Sequence, residues 1–191
     1  MNITHDLIWQ VDEVIPKEIC EYTIDSYKKQ EEEKATIAEG NKDSILNNHV
    51  RDTKINWLDQ MSPIGCTLQV YINAANKNAG WDFNLHHMEK IQLSKYDKNG
   101  FYDWHIDTCP PNANDIQRKI SAVALLSDPK DFKGGKLQIK DLSDYGYDED
   151  MITLRQGSII CFPSYLEHKV TRVTEGVRYT AVTWMTGHKW I

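Results

Sequence analysis

The 191 residues contain no apolar run approaching the roughly twenty that a membrane helix requires. The longest, Ala122 to Leu126 and Ser158 to Phe162, fall far short, so no membrane span is expected. Long basic stretches are also missing. The 22 Lys and Arg are outnumbered by 28 Asp and Glu, for a net charge of -6, which argues against charge-driven binding to nucleic acid. Cysteine is sparse and scattered: Cys20, Cys66, Cys109 and Cys161 show no CxxC spacing, so neither a disulfide framework nor a zinc site is expected and the thiols read as reduced. With 10 Gly, 6 Pro and no internal repeat, collagen-like, disordered and coiled-coil chains are excluded. Met1 to Gln10 lack a basic segment followed by an apolar one, so the sequence alone predicts no secretory leader and a cytoplasmic location.

What is present suits one ordinary domain, 40% hydrophobic and 26% charged. A helix is predicted to open near Pro16 and to continue through Tyr27 into residues 28–34, with Glu31 to Lys34 as a solvated face. A loop follows over 40–48, then a second helix within Pro63 to Asn76. From Glu89 onward short period-2 segments alternate with turns, predicting strands over 90–96, 102–106, 119–126, 136–140, 152–154, 158–162, 168–173 and 179–185. The expected fold is α+β, mainly β: an antiparallel double-stranded β-helix, or jelly roll, with N-terminal supporting helices. It forms a single domain, 1–191, in which 1–88 supply helical support and first strands and 89–191 the core. Oligomeric state is not legible.

His105-x-Asp107 sets an imidazole and a carboxylate two residues apart, on one face if the segment is a strand. Chance alone produces such pairs, and His87-Met88-Glu89 is a second one without supporting context. A third donor, His168, lies after the strand over 158–162. Two histidines and one carboxylate with open coordination positions suit non-haem ferrous iron and O2 chemistry; read alone, they could equally be ordinary core histidines. Arg178 shares an alternating face with Thr180, Val182 and Trp184. Aimed inward it needs an anion, and a dicarboxylate chelating iron at one end and pairing with Arg178 at the other describes 2-oxoglutarate. Aimed outward it is a surface ion pair.

From Gln92 to Trp190 the chain resembles the 2-oxoglutarate and Fe(II)-dependent dioxygenases of the prolyl 4-hydroxylase-like, PKHD type. The resemblance is carried by Leu93 to Tyr96, Gly100 to Asp107, Arg118 to Pro129, Phe132 to Gly135, Gly157 to Ser164, His168 to Val170 and Gly176 to Trp184. It implies His105, Asp107 and His168 as iron ligands, Arg178 as partner of the distal carboxylate of 2-oxoglutarate, and Tyr96 as a hydroxyl donor to the same co-substrate. Tyr102, Arg118 and Trp184 fall where prolyl hydroxylases surround their target. The implied activity is hydroxylation of a prolyl residue in a peptide or protein, with 2-oxoglutarate decarboxylated to succinate and CO2 and ascorbate as a candidate reductant. The acid at Asp107 fills the position that related halogenases leave free for halide. The same cofactor chemistry on a free amino acid, nucleobase or small metabolite is the alternative, and a noncatalytic jelly-roll binding module a third reading. Residues 105–115 read as an active-site loop, with Cys109 as an oxidation-sensitive thiol. Gly134-Gly135 and Pro163-Ser164 are read as scaffold.

Overall fold

Side chains on a strand alternate between two faces, and here the two faces of the long strands bury against different partners. The computed structural model describes residues 2–4, 7–35, 50–140 and 152–190. In chain order, β1 (Asn2–Thr4) and β2 (Trp9–Val11) lead into α1 (Lys17–Lys28); β3 (Glu33–Lys34), β4 (Arg51–Asp52) and β5 (Lys54–Leu58) precede α2 (Pro63–Asn78). Then come β6 (Leu85–Met88), β7 (Ile91–Tyr96), β8 (Phe101–His105) and β9 (Ile116–Leu125), followed by β10 (Phe132–Gly134) and β11 (Leu137–Ile139). The last four are β12 (Ile159–Pro163), β13 (His168–Val170), β14 (Val173–Gly176) and β15 (Arg178–His188). A large sheet runs β1-β2-β12-β9-β15-β7-β5-β3, with β6 added to β15, and a smaller one runs β11-β13-β8-β4. The described pairings are antiparallel.

Ser62 starts α2, its hydroxyl accepting from the Gly65 N–H at 3.3 Å, with Pro63 at the first helical position. Ile64, Leu68, Ile72 and Ala75 then fall on one helix face. That face packs on Ile120, Ala122 and Ala124 of β9, Ile159 and Cys161 of β12, and Ala181 and Met185 of β15. The alternate residues Val123, Ile160 and Phe162 form a second core with Leu137, Ile139 and Val170 of the smaller sheet. The predicted jelly roll with helical support is thus the observed one: helices, large sheet, small sheet.

Three expectations are corrected. The first helix stops at Lys28. Glu33 and Lys34 pair with Ile55 and Lys54 as strand, and Glu32 bonds Lys54 and Lys95 across the sheet edge, so this charged run is drawn into a ladder by distant lysines. Residues 152–154 form no strand; the Thr153 carbonyl accepts from the Gln10 amide at 3.2 Å instead of from a neighbouring backbone, while Ile152 is buried in the second core. Asp107 lies beyond the end of β8, not on it. The loop expected over 40–48 lies outside the described residues, as do residues 144–150, one of the turns between the predicted strands. Among those described, no helix is long and apolar enough to cross a membrane.

Leu68 is fully buried at the helix–sheet contact. Leu68→Ala is expected to destabilise the fold by about 2–5 kcal/mol, measured by denaturant unfolding; a loss under about 1 kcal/mol contradicts the buttress role of α2.

Candidate active site

Two cross-strand registers assemble the site. In the smaller sheet His168 of β13 lies directly opposite His105 of β8; in the larger, Arg178 of β15 lies opposite Tyr96 of β7. Each pair is local in space and distant in sequence. A cavity of about 520 Å³ lies between the sheets and is walled by all four residues together with Asp107, Tyr102, Arg118 and Trp184. Every residue singled out from the sequence therefore meets in one place.

One donor atom from each of His105, Asp107 and His168 falls within 4.8 Å of the others. The imidazoles are oriented from behind. Nδ1 of His105 lies 2.7 Å from the Asp103 carbonyl and Nδ1 of His168 lies 2.9 Å from the Leu166 carbonyl. A carbonyl can only accept, so each Nδ1 carries a proton, and in a neutral ring this leaves the Nε2 lone pair as the metal donor. Those Nε2 atoms lie 3.7 and 3.4 Å from the Asp107 carboxylate.

Asp107 is held by a short relay. Its backbone N–H and that of Thr108 both donate to the Ser164 carbonyl, at 3.0 and 2.9 Å. The Ser121 hydroxyl donates to Oδ2 at 2.7 Å and sits 2.9 Å from the Ser164 hydroxyl. The Pro163-Ser164 turn is scaffold, as expected, and what it supports is the carboxylate.

The charges suit a cation. Burial raises the Asp107 carboxyl, but His168, His105, the nearby Trp184 indole N–H and Arg118 outweigh it and hold it at about 2. Burial, then the neighbouring His168, brings His105 down to about 4. Neutral imidazoles and an ionised carboxylate are the protonation states a divalent metal needs, so this donor set fits ferrous iron.

Arg178 presents the complementary problem. It is 2% exposed, its Nη1 has no hydrogen-bond partner, and no carboxylate pairs with it among the described residues. Burial lowers its pKa against the opposing influence of Tyr96, whose ring centroid is 5.2 Å from the guanidinium carbon. The buried Thr180 hydroxyl, on the same strand face, also lacks a partner among the described residues. Unpaired, these groups cost several kcal/mol; a carboxylate entering the cavity satisfies them. Gly135 leaves the room Arg178 occupies, since a Cβ there would stand 2.7 Å from Arg178 Cδ at a φ of +60°.

Tyr102 stacks on His105 with centroids 3.5 Å apart and planes 13° apart, and the Arg51 guanidinium lies 4.5 Å over its other face. Arg118 lies flat on Trp184 at 3.7 Å. Thr108, Cys109 and Pro110 of the expected active-site loop line the cavity; Cys109 is exposed and stands outside the donor group. His87 instead bonds Thr186 at 3.0 Å, and Glu89 grips Arg118, so that second His-x-acid pair assembles no metal site among the described residues. Sequence reasoning did not single out Arg51, Glu89, Ser121 and Ser164 as site residues. Thr180 was within reach, lying on the same alternating face as Arg178.

Residues 91–186 match the 2OG-Fe(II) oxygenase superfamily. Among curated relatives, the PKHD-type hydroxylase of Shewanella frigidimarina is 34% identical over 97 residues, covering 49% of this chain and 41% of the relative. One from Pseudomonas putida is 34% identical over 96 residues, covering 48% and 41%. The matched segment thus spans about two-fifths of these relatives. Among solved structures, the viral collagen prolyl hydroxylase of Paramecium Bursaria Chlorella virus-1, in a 2OG complex, aligns with a TM-score of 0.69 at 16% identity over 95% of this chain and 96% of that one. A Pseudomonas putida prolyl-4-hydroxylase aligns with a TM-score of 0.69 at 20% identity over 95% and 93%. The structural likenesses establish the fold.

Because His105 titrates near 4 when folded and near 6.5 when unfolded, its neutral burial contributes stability present above pH 6.5 and lost as pH falls toward 4. Denaturant unfolding of the metal-free protein at graded pH is expected to show that loss, and His105→Gln to flatten it. An unchanged slope contradicts the buried neutral imidazole.

Proposed function

The chain belongs to the 2OG-Fe(II) oxygenase superfamily, and from that premise we propose that it uses Fe(II), 2-oxoglutarate and O2 to hydroxylate a prolyl residue of a peptide or protein. The observation that carries the reading is the pairing of a three-donor cluster with a buried, carboxylate-less arginine across one cavity. A metal alone leaves Arg178 unsatisfied, and an anion alone leaves the donor cluster unused. A dicarboxylate with a chelating end answers both.

Activation of O2, coupled to decarboxylation of 2-oxoglutarate to succinate and CO2, is the chemistry the bound metal and co-substrate supply and side chains cannot. The residues of the chain bind, orient and exclude. His105, Asp107 and His168 hold the metal. Arg178 takes the distal carboxylate on its free Nη1, with the Thr180 and Tyr96 hydroxyls beside it. Val123, Leu137 and Val182 line the cavity with apolar surface and keep water from the reacting centre. Trp184 offers a ring face and Tyr102 its ring edge to a pyrrolidine, and Arg118 offers a hydrogen-bond donor to its backbone. The solved neighbours named as prolyl hydroxylases, one of them from Trichoplax adhaerens and holding a hypoxia inducible factor peptide fragment, support a prolyl target.

Asp107→Ala is expected to abolish succinate production. Arg178→Gln should raise the KM for 2-oxoglutarate by about tenfold or more while metal binding persists; wild-type KM in that variant sinks the assignment. Tyr102→Ala and Trp184→Ala should retain more uncoupled decarboxylation than substrate hydroxylation, the latter read by mass spectrometry as a gain of one oxygen on proline-containing peptides. Robust decarboxylation with no oxygen gained on any prolyl peptide contradicts the prolyl target.

A further inference from the structure

Glu89 lies behind Arg118, a residue of the cavity wall, and serves neither the donor cluster nor the Arg178 site. Its backbone is pinned to β15: the Glu89 N–H donates to the Trp184 carbonyl at 2.9 Å, and the Thr183 hydroxyl donates to the Glu89 carbonyl at 2.9 Å. Its carboxylate accepts from Arg118 Nε at 2.8 Å and Nη2 at 2.7 Å, while the guanidinium lies on the Trp184 ring at 3.7 Å. Glu89, Arg118 and Trp184 therefore form one rigid unit. Arg118 faces the catalytic cavity, whereas Glu89 faces an adjoining groove; Trp57 lines both.

This geometry consumes one of the two donor edges with which Arg118 can take a two-pronged grip on a carboxylate. One face is stacked on Trp184 and the Nε–Nη2 edge is occupied by Glu89, which leaves the Nη1–Nη2 edge as the one Glu89 does not use. The ion pair has no net charge. An incoming carboxylate meets the Glu89 charge beyond the guanidinium, while a neutral carbonyl meets only a polarised N–H donor.

We propose that Glu89 sets the charge specificity of the substrate pocket, converting Arg118 from an anion-binding fork into a one-edge donor for an amide carbonyl. The pocket accepts a residue within a peptide chain and disfavours the same residue bearing a free carboxylate. Glu89 acts through Arg118 and is a positioning residue. The inference rests on the proposed function only in taking the substrate past Arg118.

The test uses N-acetyl-alanyl-proline as its carboxamide and as its carboxylate, added to ¹⁵N-labelled protein whose cavity is filled with Zn(II) and 2-oxoglutarate. The readouts are the Arg118 Nε–H and Trp184 indole resonances. Wild type is expected to bind the carboxamide at least about tenfold more tightly; Glu89→Gln should shrink that ratio by about tenfold, and Glu89→Asp, which keeps the charge, should preserve the preference. A wild type that binds both equally, or prefers the carboxylate, overturns the proposal without any variant. So does an unchanged ratio in Glu89→Gln, or a wild type in which neither probe moves these resonances. Hydroxylation of the carboxamide by the Fe(II) enzyme is assayed in parallel: the expected charge switch without oxygen gain upholds the role of Glu89 and removes the prolyl target.

Discussion

Everything in this structure turns on a buried guanidinium that its own fold does not neutralise. Arg178 is held inside by strand register, opposite Tyr96, with space cleared by Gly135 and no carboxylate of its own among the described residues. Burial of an unpaired cation is among the costlier things a fold can do. A second unsatisfied set faces it, two imidazoles whose Nδ1 atoms are tied to backbone carbonyls and an ionised carboxylate. The two sets are complementary to a ligand, not to each other, and both line one cavity.

The supporting structure follows from that constraint. Helices α1 and α2 cover the outer face of the large sheet, so the long strands β9, β12 and β15 are buried on both sides and hold their side chains in fixed register. The smaller sheet brings His105 and His168 together across adjacent strands. Asp107, lying just past a strand end, is fixed instead by two N–H bonds to one carbonyl and by the Ser121 hydroxyl. Rigid strands thus position two of the donor side chains and the arginine, and a hydrogen-bonded loop positions the third donor.

Much of this was legible in the sequence because it follows a short period. The face Arg178, Thr180, Val182, Trp184 is read directly from alternation, and all four line the cavity. The His105-x-Asp107 spacing picked out two residues that converge with His168, although Asp107 is not on a strand and its anchor from Ser164 has no local signature. What stayed hidden is what depends on distant partners. Residues 31–34 look helical until Lys54 and Lys95 are known to lie beside Glu32. Arg51 reaches Tyr102 only through the pairing of β4 with β8. Glu89 looked like half of a chance metal pair, and its partner proved to be the guanidinium of Arg118, 2.7 Å away.

The most direct test is optical. Under anaerobic conditions, Fe(II) and 2-oxoglutarate are added together to the protein and the visible metal-to-ligand charge-transfer band is recorded, which requires the co-substrate to chelate iron held by the donor cluster. The band is expected to form in wild type and to disappear when 2-oxoglutarate is replaced by a monocarboxylic 2-oxo acid too short to reach Arg178. Fe(II) that binds without producing the band, or a band indifferent to the distal carboxylate, would contradict a co-substrate held between the donor cluster and Arg178.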